Sequence, residues 1–264
     1  MSGNKKSPLE FPLNGICPYF TMFPLEFPKA ILAKHGKRKQ LVVDPFCGRG
    51  TTNFAARINQ IDSLGIDSSP VAVAIAQAKS ARATPDKIVS YAKDILESDR
   101  RVILPKGSFW DLAYHRDVLR QLCIFRDHLI EAKNDDTAKA LRGILLGALH
   151  GPIGKTVNSY FSNQCPRTFA PKPDYSVRFW KKNRLTPPNV DLLKIIEVRA
   201  LRYFSQKLPD ASSKVVLADS RSIQSIENLV GRKTDWIITS PPYYEDIYTR
   251  SMASPMVFRR FSRS

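Results

Sequence analysis

Gln40-Leu41-Val42-Val43-Asp44-Pro45-Phe46-Cys47-Gly48-Arg49-Gly50-Thr51-Thr52 is the stretch on which the reading of this chain turns. A short apolar, β-branched run ends at Asp44 in a Gly-x-Gly turn, and residues 53–59 continue with helical spacing. Residues 63–67 then form a second short strand ending in Asp67, and residues 68–83 open a helix on Ser-Ser-Pro. Strand, glycine turn, helix, strand and acid make the opening of a nucleotide-binding α/β sheet. Glycines in such a turn let backbone approach a ligand that a side chain would block. Gly48 and Gly50 lack the third glycine of the dinucleotide fingerprint, and no phosphate-loop lysine follows. The expected ligand is therefore a nucleoside without a pyrophosphate. Asp67 is placed to accept hydrogen bonds from ribose hydroxyls; the alternative is a plain helix cap for the residues after it.

The sheet pattern resumes far downstream. Residues 214–219 read as a third strand, residues 223–229 as a short helix, and residues 235–239 as a fourth strand that delivers Ser240-Pro241-Pro242-Tyr243. Two consecutive prolines make a rigid extended turn whose carbonyls are free to face a ligand. Ser240 Oγ and the Pro241 carbonyl suit the two hydrogens of an exocyclic amine, and Tyr243 offers a flat face for an extruded base. The alternative is a turn with an incidental aromatic.

Between these halves, residues 87–96, 111–133, 137–149 and 188–208 have the apolar spacing of packing helices. The segment 151–190 is different. It carries Lys155, Arg167, Lys172, Arg178, Lys181, Lys182 and Arg184 against Asp174 alone, interleaved with Tyr160, Phe161, Phe169, Tyr175, Phe179 and Trp180. Cations among flat rings suit a nucleic acid; equally, the rings would form the small core of a loop-rich insertion. Its six prolines predict little regular structure.

The 264-residue chain has a formal net charge of +17, most of it between residues 101 and 214, which favours a polyanionic partner through counterion release. Its composition is that of a globular chain, and it holds neither an apolar run long enough to span a membrane nor a signal-peptide core. A cytoplasmic protein is expected. The four cysteines show no metal-ligand spacing, so no metal is expected. The domain reading is 1–83 and 211–264 as the two parts of one α/β domain, with 84–210 as a helical and basic insertion.

Taken together, residues 44–52, 65–69, 217–220 and 235–243 resemble the DNA amino-methyltransferases, which use S-adenosylmethionine to make N4-methylcytosine or N6-methyladenine. Residues 18–24 are similar to the family segment that helps cover the methionine end of the cofactor. The resemblance implies a Rossmann-like α/β methyltransferase sheet. Within it, Phe46, Gly48 and Gly50 would line the methionine and ribose of the cofactor, with Asp44 near its amino group. Asp67 would hold the ribose hydroxyls, Ser68 would flank the adenine, and Asp219 and Ser220 would sit by its amino edge. Ser240, Pro241, Pro242 and Tyr243 would form the catalytic motif.

Serine at the first position of that motif is commoner in cytosine-N4 enzymes, so cytosine N4 is favoured over adenine N6. Cytosine carbon-5 chemistry is disfavoured, because its cysteine follows a proline, whereas Cys17 and Cys165 precede one. The implied reaction is direct transfer to a flipped base, resting on positioning more than on a strong base. DNA is the expected partner, bound by Lys172, Arg178, Lys181, Lys182 and Arg184, and the family leaves room for an associated restriction endonuclease. Two other readings stand beside this one: an RNA base N-methyltransferase, and an inactive nucleic-acid-binding fragment. The second arises because 21 residues follow Tyr243, too few for the remaining strands of the fold, so a chain truncated at an open sheet edge is expected.

Overall fold

The computed structural model describes residues 10–17, 24–98, 100–152, 159–165, 172–221, 231, 233–241 and 256–259. The chain divides into two compact units. One comprises Met1–Cys17 and Arg82–Ser205, the other Pro18–Ala81 and Gln206–Ser264.

The second unit carries the sheet. Strands β1 (Leu41–Asp44), β2 (Asp62–Asp67), β3 (Ser213–Leu217) and β4 (Trp236–Thr239) run parallel, and β5 (Met256–Arg259) pairs antiparallel with β4, in the order β3-β2-β1-β4-β5. This is the Rossmann-like α/β sheet that the sequence implies. β1 is central, paired with β2 through Val43↔Leu64 and with β4 through Val43↔Ile237. It is buried along its whole length, which is why it reads as an unbroken apolar run. Leu41, Val43, Leu64 and Ile66 pack into one cluster; Cys47, Val73, Ala76 and Val215 form another.

Helices α1 (Glu26–His35), α2 (Thr51–Ile58) and α3 (Pro70–Ser80) complete this unit among the described residues. In α2, Thr51 to Arg57 are all buried. The Arg57 guanidinium donates to the carbonyls of Lys79 (2.7 Å) and Ala81 (3.1 Å) at the end of α3, and to that of Pro209. A cation thus satisfies acceptors that the helix terminus leaves open.

Strand β5 was not expected. Residues 251–264 show little apolar periodicity, yet Met256–Arg259 pair with β4 from Thr239↔Met256 to Trp236↔Arg259. The β4 edge, expected to be open, is covered along this register. Four residues with one partner strand are too short for a period-2 pattern to stand out. The helix expected at residues 223–229 lies outside the described residues.

The first unit is helical: a 3₁₀ turn (Pro12–Gly15), α4 (Pro85–Glu97), α5 (Ser108–Ala113), α6 (Arg116–Glu131), α7 (Asp136–Ala148), α8 (Pro173–Lys182) and α9 (Leu192–Phe204). Its core takes Ile88, Ala92 and Ile95 of α4, Phe125 of α6, Leu141 and Ile144 of α7, and Ile195 and Ile196 of α9. Leu13 and Ile16 of the opening segment are buried in it too. The single helix read at 111–133 is two, because the backbone turns extended at Tyr114 and His115 caps the next helix, its ring accepting the Asp117 N–H at 3.3 Å. The proline-rich segment also departs from expectation: it contains α8, with Pro173 in the first turn, where a missing N–H costs nothing.

Candidate functional site

All four parallel strands end on one edge of the sheet, and β1 lies where the strand order reverses, with β2 and β3 to one side and β4 to the other. Crevices at such switch points are where open α/β sheets bind ligands. Asp44, Asp67, Asp219 and Ser220, and Ser240 stand at or just past the ends of β1, β2, β3 and β4 respectively.

The loop after β1 is built around two glycines with left-handed dihedrals, Gly48 (φ +50°) and Gly50 (φ +71°), and each requires glycine for a different reason. A Cβ on Gly50 would lie 2.7 Å from Ala76 Cβ, so this position lets α2 pack against α3. A Cβ on Gly48 would meet nothing within 4 Å and would project into open space. Gly48 therefore keeps a surface clear rather than filling a contact.

Asp67 ties this loop down. Its Oδ2 accepts the Gly48 N–H and its Oδ1 the Ser69 N–H, both at 2.8 Å. The capping reading is thus realised in part, with Ser69 as the N-cap of α3, its side chain accepting the Ala72 N–H. Each Asp67 oxygen retains a lone pair, and the carboxylate is half-buried. Ser220, after β3, donates to the Pro45 carbonyl at 2.6 Å and so closes on the same loop. Asp219 is exposed and gripped by Arg221, whose guanidinium and amide hold its carboxyl down at about 2. Ser68 is exposed beside Asp67, and Phe46 is 37% exposed at the loop tip.

Asp44 is the unusual residue. It is 1% exposed, and Oδ1 accepts the Phe46 N–H at 3.1 Å, while Oδ2 has no hydrogen-bond partner. Burial pushes its carboxyl up to about 6, and the Phe46 amide pulls it part of the way back. Thr239 Oγ1, on the last residue of β4, is also buried without a hydrogen-bond partner. The Thr52 hydroxyl donates to the Ile238 carbonyl at 3.1 Å, tying α2 to β4. Orphaned buried polar atoms of this kind call for a ligand or a mechanical explanation. Thr239 and Thr52 fall within the quoted motifs, but the sequence reading gives neither a role. The signal for Thr239 was available, since it is a polar residue closing an otherwise apolar strand at the switch point.

Ser240 and Pro241 follow β4 directly and are half-buried; Pro242 and Tyr243 lie outside the described residues. In the helical unit, Lys172, Arg178, Lys181, Lys182 and Arg184 are all exposed on and around α8. The rings of the same segment divide. Phe161 and Trp180 are core residues, at 0% and 2% exposed, and Tyr160 lies under the Arg199 guanidinium at 4.7 Å. Tyr175 is exposed and Phe179 half-buried, and Phe169 is outside the described residues. The cleft between α4 and α9, lined by Pro85, Asp86, Lys93, Glu197 and Leu201, holds no orphaned buried polar atom and has no chemistry to assign.

Among the described residues, no cluster of His, Cys, Asp and Glu could hold a metal ion, and no helix is long and apolar enough to cross a membrane. Residues 2–78 match the family model described as DNA methylase, of the N6/N4 type. The matched segment contains β1, the glycine loop, α2, β2 and most of α3. No curated protein and no solved structure matches the chain.

Proposed function

We propose, from the place that residues 2–78 give this chain in the N4/N6 DNA methyltransferase family, that it methylates an exocyclic base amine in DNA, with cytosine N4 as the favoured target. The family match supports DNA amino-methylation in general, and DNA methylases normally take their methyl group from S-adenosylmethionine. The observation that carries the reading is the pairing of an open glycine surface at Gly48 with a buried carboxyl oxygen, Asp44 Oδ2, that lacks a partner.

The residues fit that cofactor. Asp44 Oδ2, ionised, offers an acceptor suited to an ammonium group, and the cation would recover the cost of burying the charge. Gly48 and Gly50 leave backbone open to close approach, Phe46 offers an apolar face, and the unused lone pairs of Asp67 suit ribose hydroxyls. Ser68, Asp219 and Ser220 would flank the adenine. When bound, the cofactor supplies an electrophilic methyl group. Ser240 Oγ and the Pro241 carbonyl would accept the two hydrogens of the base amine and orient its lone pair, while Pro242 stiffens the turn and Tyr243 stacks on the flipped base. Lys172, Arg178, Lys181, Lys182 and Arg184 would neutralise DNA phosphates. A cytoplasmic setting and a companion restriction endonuclease accord with this role.

The test is incubation of the purified chain with methyl-labelled S-adenosylmethionine and duplex DNA, followed by nucleoside analysis. Label in N4-methylcytosine, lost in Ser240→Ala, supports the proposal, and label in N6-methyladenine corrects the target base. Label in RNA alone replaces it with the RNA reading, and cofactor binding without transfer to either leaves the inactive fragment.

A further inference from the structure

We propose that α8 is the helix through which this chain reads duplex DNA, with Arg178 and the Tyr175–Phe179 ring pair meeting base edges in the major groove. The inference rests on the DNA reading above and assigns it a specificity element.

At about 100° per residue, Arg178 lies opposite Ser176 and Trp180, the two buried residues of α8. It therefore stands at the centre of the exposed face. Tyr175, Phe179 and Lys182 occupy one flank, and Lys181 with the exposed acid Asp174 the other. The Tyr175 and Phe179 rings lie nearly parallel, 20° between planes and 6.4 Å between centroids, so they present one broad apolar surface. Residues 172–184 carry five cations and one acid, Asp174, a balance that complements a phosphate backbone.

The back of the helix is fixed. The Trp180 indole N–H donates to the Gln164 carbonyl at 2.7 Å, and its ring packs against Phe109 at 5.6 Å. A reading helix needs such a rigid seat, because base contacts tolerate little misplacement. The major groove of B-DNA, about 12 Å wide, admits an α-helix; arginine forks onto guanine O6 and N7 there, and apolar groups contact the thymine methyl.

The helix end adds an independent observation. The Leu185 N–H returns to the Trp180 carbonyl at 3.0 Å and the Arg184 N–H to the Lys181 carbonyl at 3.2 Å, and Arg184 has φ +50°. This is the left-handed capping position where glycine is favoured. A long cation stands there at a conformational cost, with its side chain exposed at the helix end.

The experiment is selection from a library of random-sequence duplexes by the full chain and its variants, with affinity measured across salt. Wild type should enrich a consensus. Arg178→Ala, and Tyr175→Ala combined with Phe179→Ala, should lose or relax that consensus and weaken binding to the selected duplex about tenfold, with the ring variant leaving the salt slope unchanged. Arg184→Gly should keep the consensus, lower the salt slope by about one, and melt no lower than wild type, which separates DNA contact from folding. An unaltered consensus and affinity in the ring variant and in Arg178→Ala overturn the inference, as does tighter binding to duplex RNA. Methyl transfer to DNA with α8 variants neutral defeats this inference alone. Consensus loss without any methyl transfer defeats the catalytic reading alone.

Discussion

The loop after β1 and the surface of α8 are both candidate binding elements, and they meet the cost of function in opposite ways. At the loop, the candidate groups are buried: Asp44 is 1% exposed with an orphaned oxygen, Thr239 Oγ1 is orphaned too, and two glycines hold left-handed dihedrals. At α8 the candidate groups are solvated, and what is buried is their support, Trp180, with its N–H satisfied. A buried site stores its cost in the unliganded fold and recovers it on binding. A surface site stores almost none, so its stability and its function reside in different residues.

The largest effect that could break this contrast is at Trp180. Trp180→Ala should destabilise the helical unit by about 3–5 kcal/mol, the range for deleting a large buried aromatic, and it leaves the Gln164 carbonyl without its donor. Removing the solvated cations should do almost nothing to folding: Arg178→Ala and Lys182→Ala should each stay within about 0.5 kcal/mol of wild type in urea unfolding. If the cation variants unfolded as readily as Trp180→Ala, support and function would not be separate at α8.

The second effect has the opposite sign. Burial raises the Asp44 carboxyl from 3.8 to about 6, so the folded state holds its proton more tightly than the unfolded chain does. Stability contributed by this group is full below about pH 4 and is lost as pH rises through about 6. Asp44→Asn keeps an acceptor for the Phe46 N–H and carries no charge. The variant should therefore be more stable than wild type above pH 6, by up to about 3 kcal/mol from a shift of about two units. At pH 4 the two should converge. Unfolding curves at pH 4 and pH 7.5 check this, and a variant less stable than wild type at pH 7.5 would show that Asp44 already has its compensating partner.

The same contrast explains what was legible in the sequence. β1, the glycine turn, β2 and Asp67 could be read because a central parallel strand is apolar along its length, and because left-handed turns select glycine. Helix α8 is not legible, because proline density predicts disruption, whereas Pro173 occupies the one helical turn that tolerates it. The division of rings into core (Phe161, Trp180) and surface (Tyr175, Phe179) depends on which helix face packs inward, and in an unrecognised helix that face was not available. The break at Tyr114 and His115 stayed hidden because apolar spacing continues on both sides. Thr239 is legible only as a polar residue closing an apolar strand, and its weight depends on a buried acid beside it that the sequence does not show.

The smallest effect on stability is the sharpest probe of the loop. Gly48→Ala places a methyl group in open space at φ +50°, so its only folding cost is the left-handed dihedral, about 1–2 kcal/mol. Gly50→Ala carries a similar dihedral cost and adds a 2.7 Å clash with Ala76, so it should destabilise more. Ligand binding should separate the two further. A methyl group on Gly48 projects from the surface offered to the cofactor, whereas one on Gly50 is directed into α3. Calorimetric titration with S-adenosylmethionine, on protein shown to be folded, should therefore find Gly48→Ala weakened by more than its small stability loss accounts for. Normal affinity in Gly48→Ala would mean that the open side of this loop is not the side that faces the ligand, and the assignment of Phe46, Gly48 and Gly50 to the cofactor would have to be abandoned.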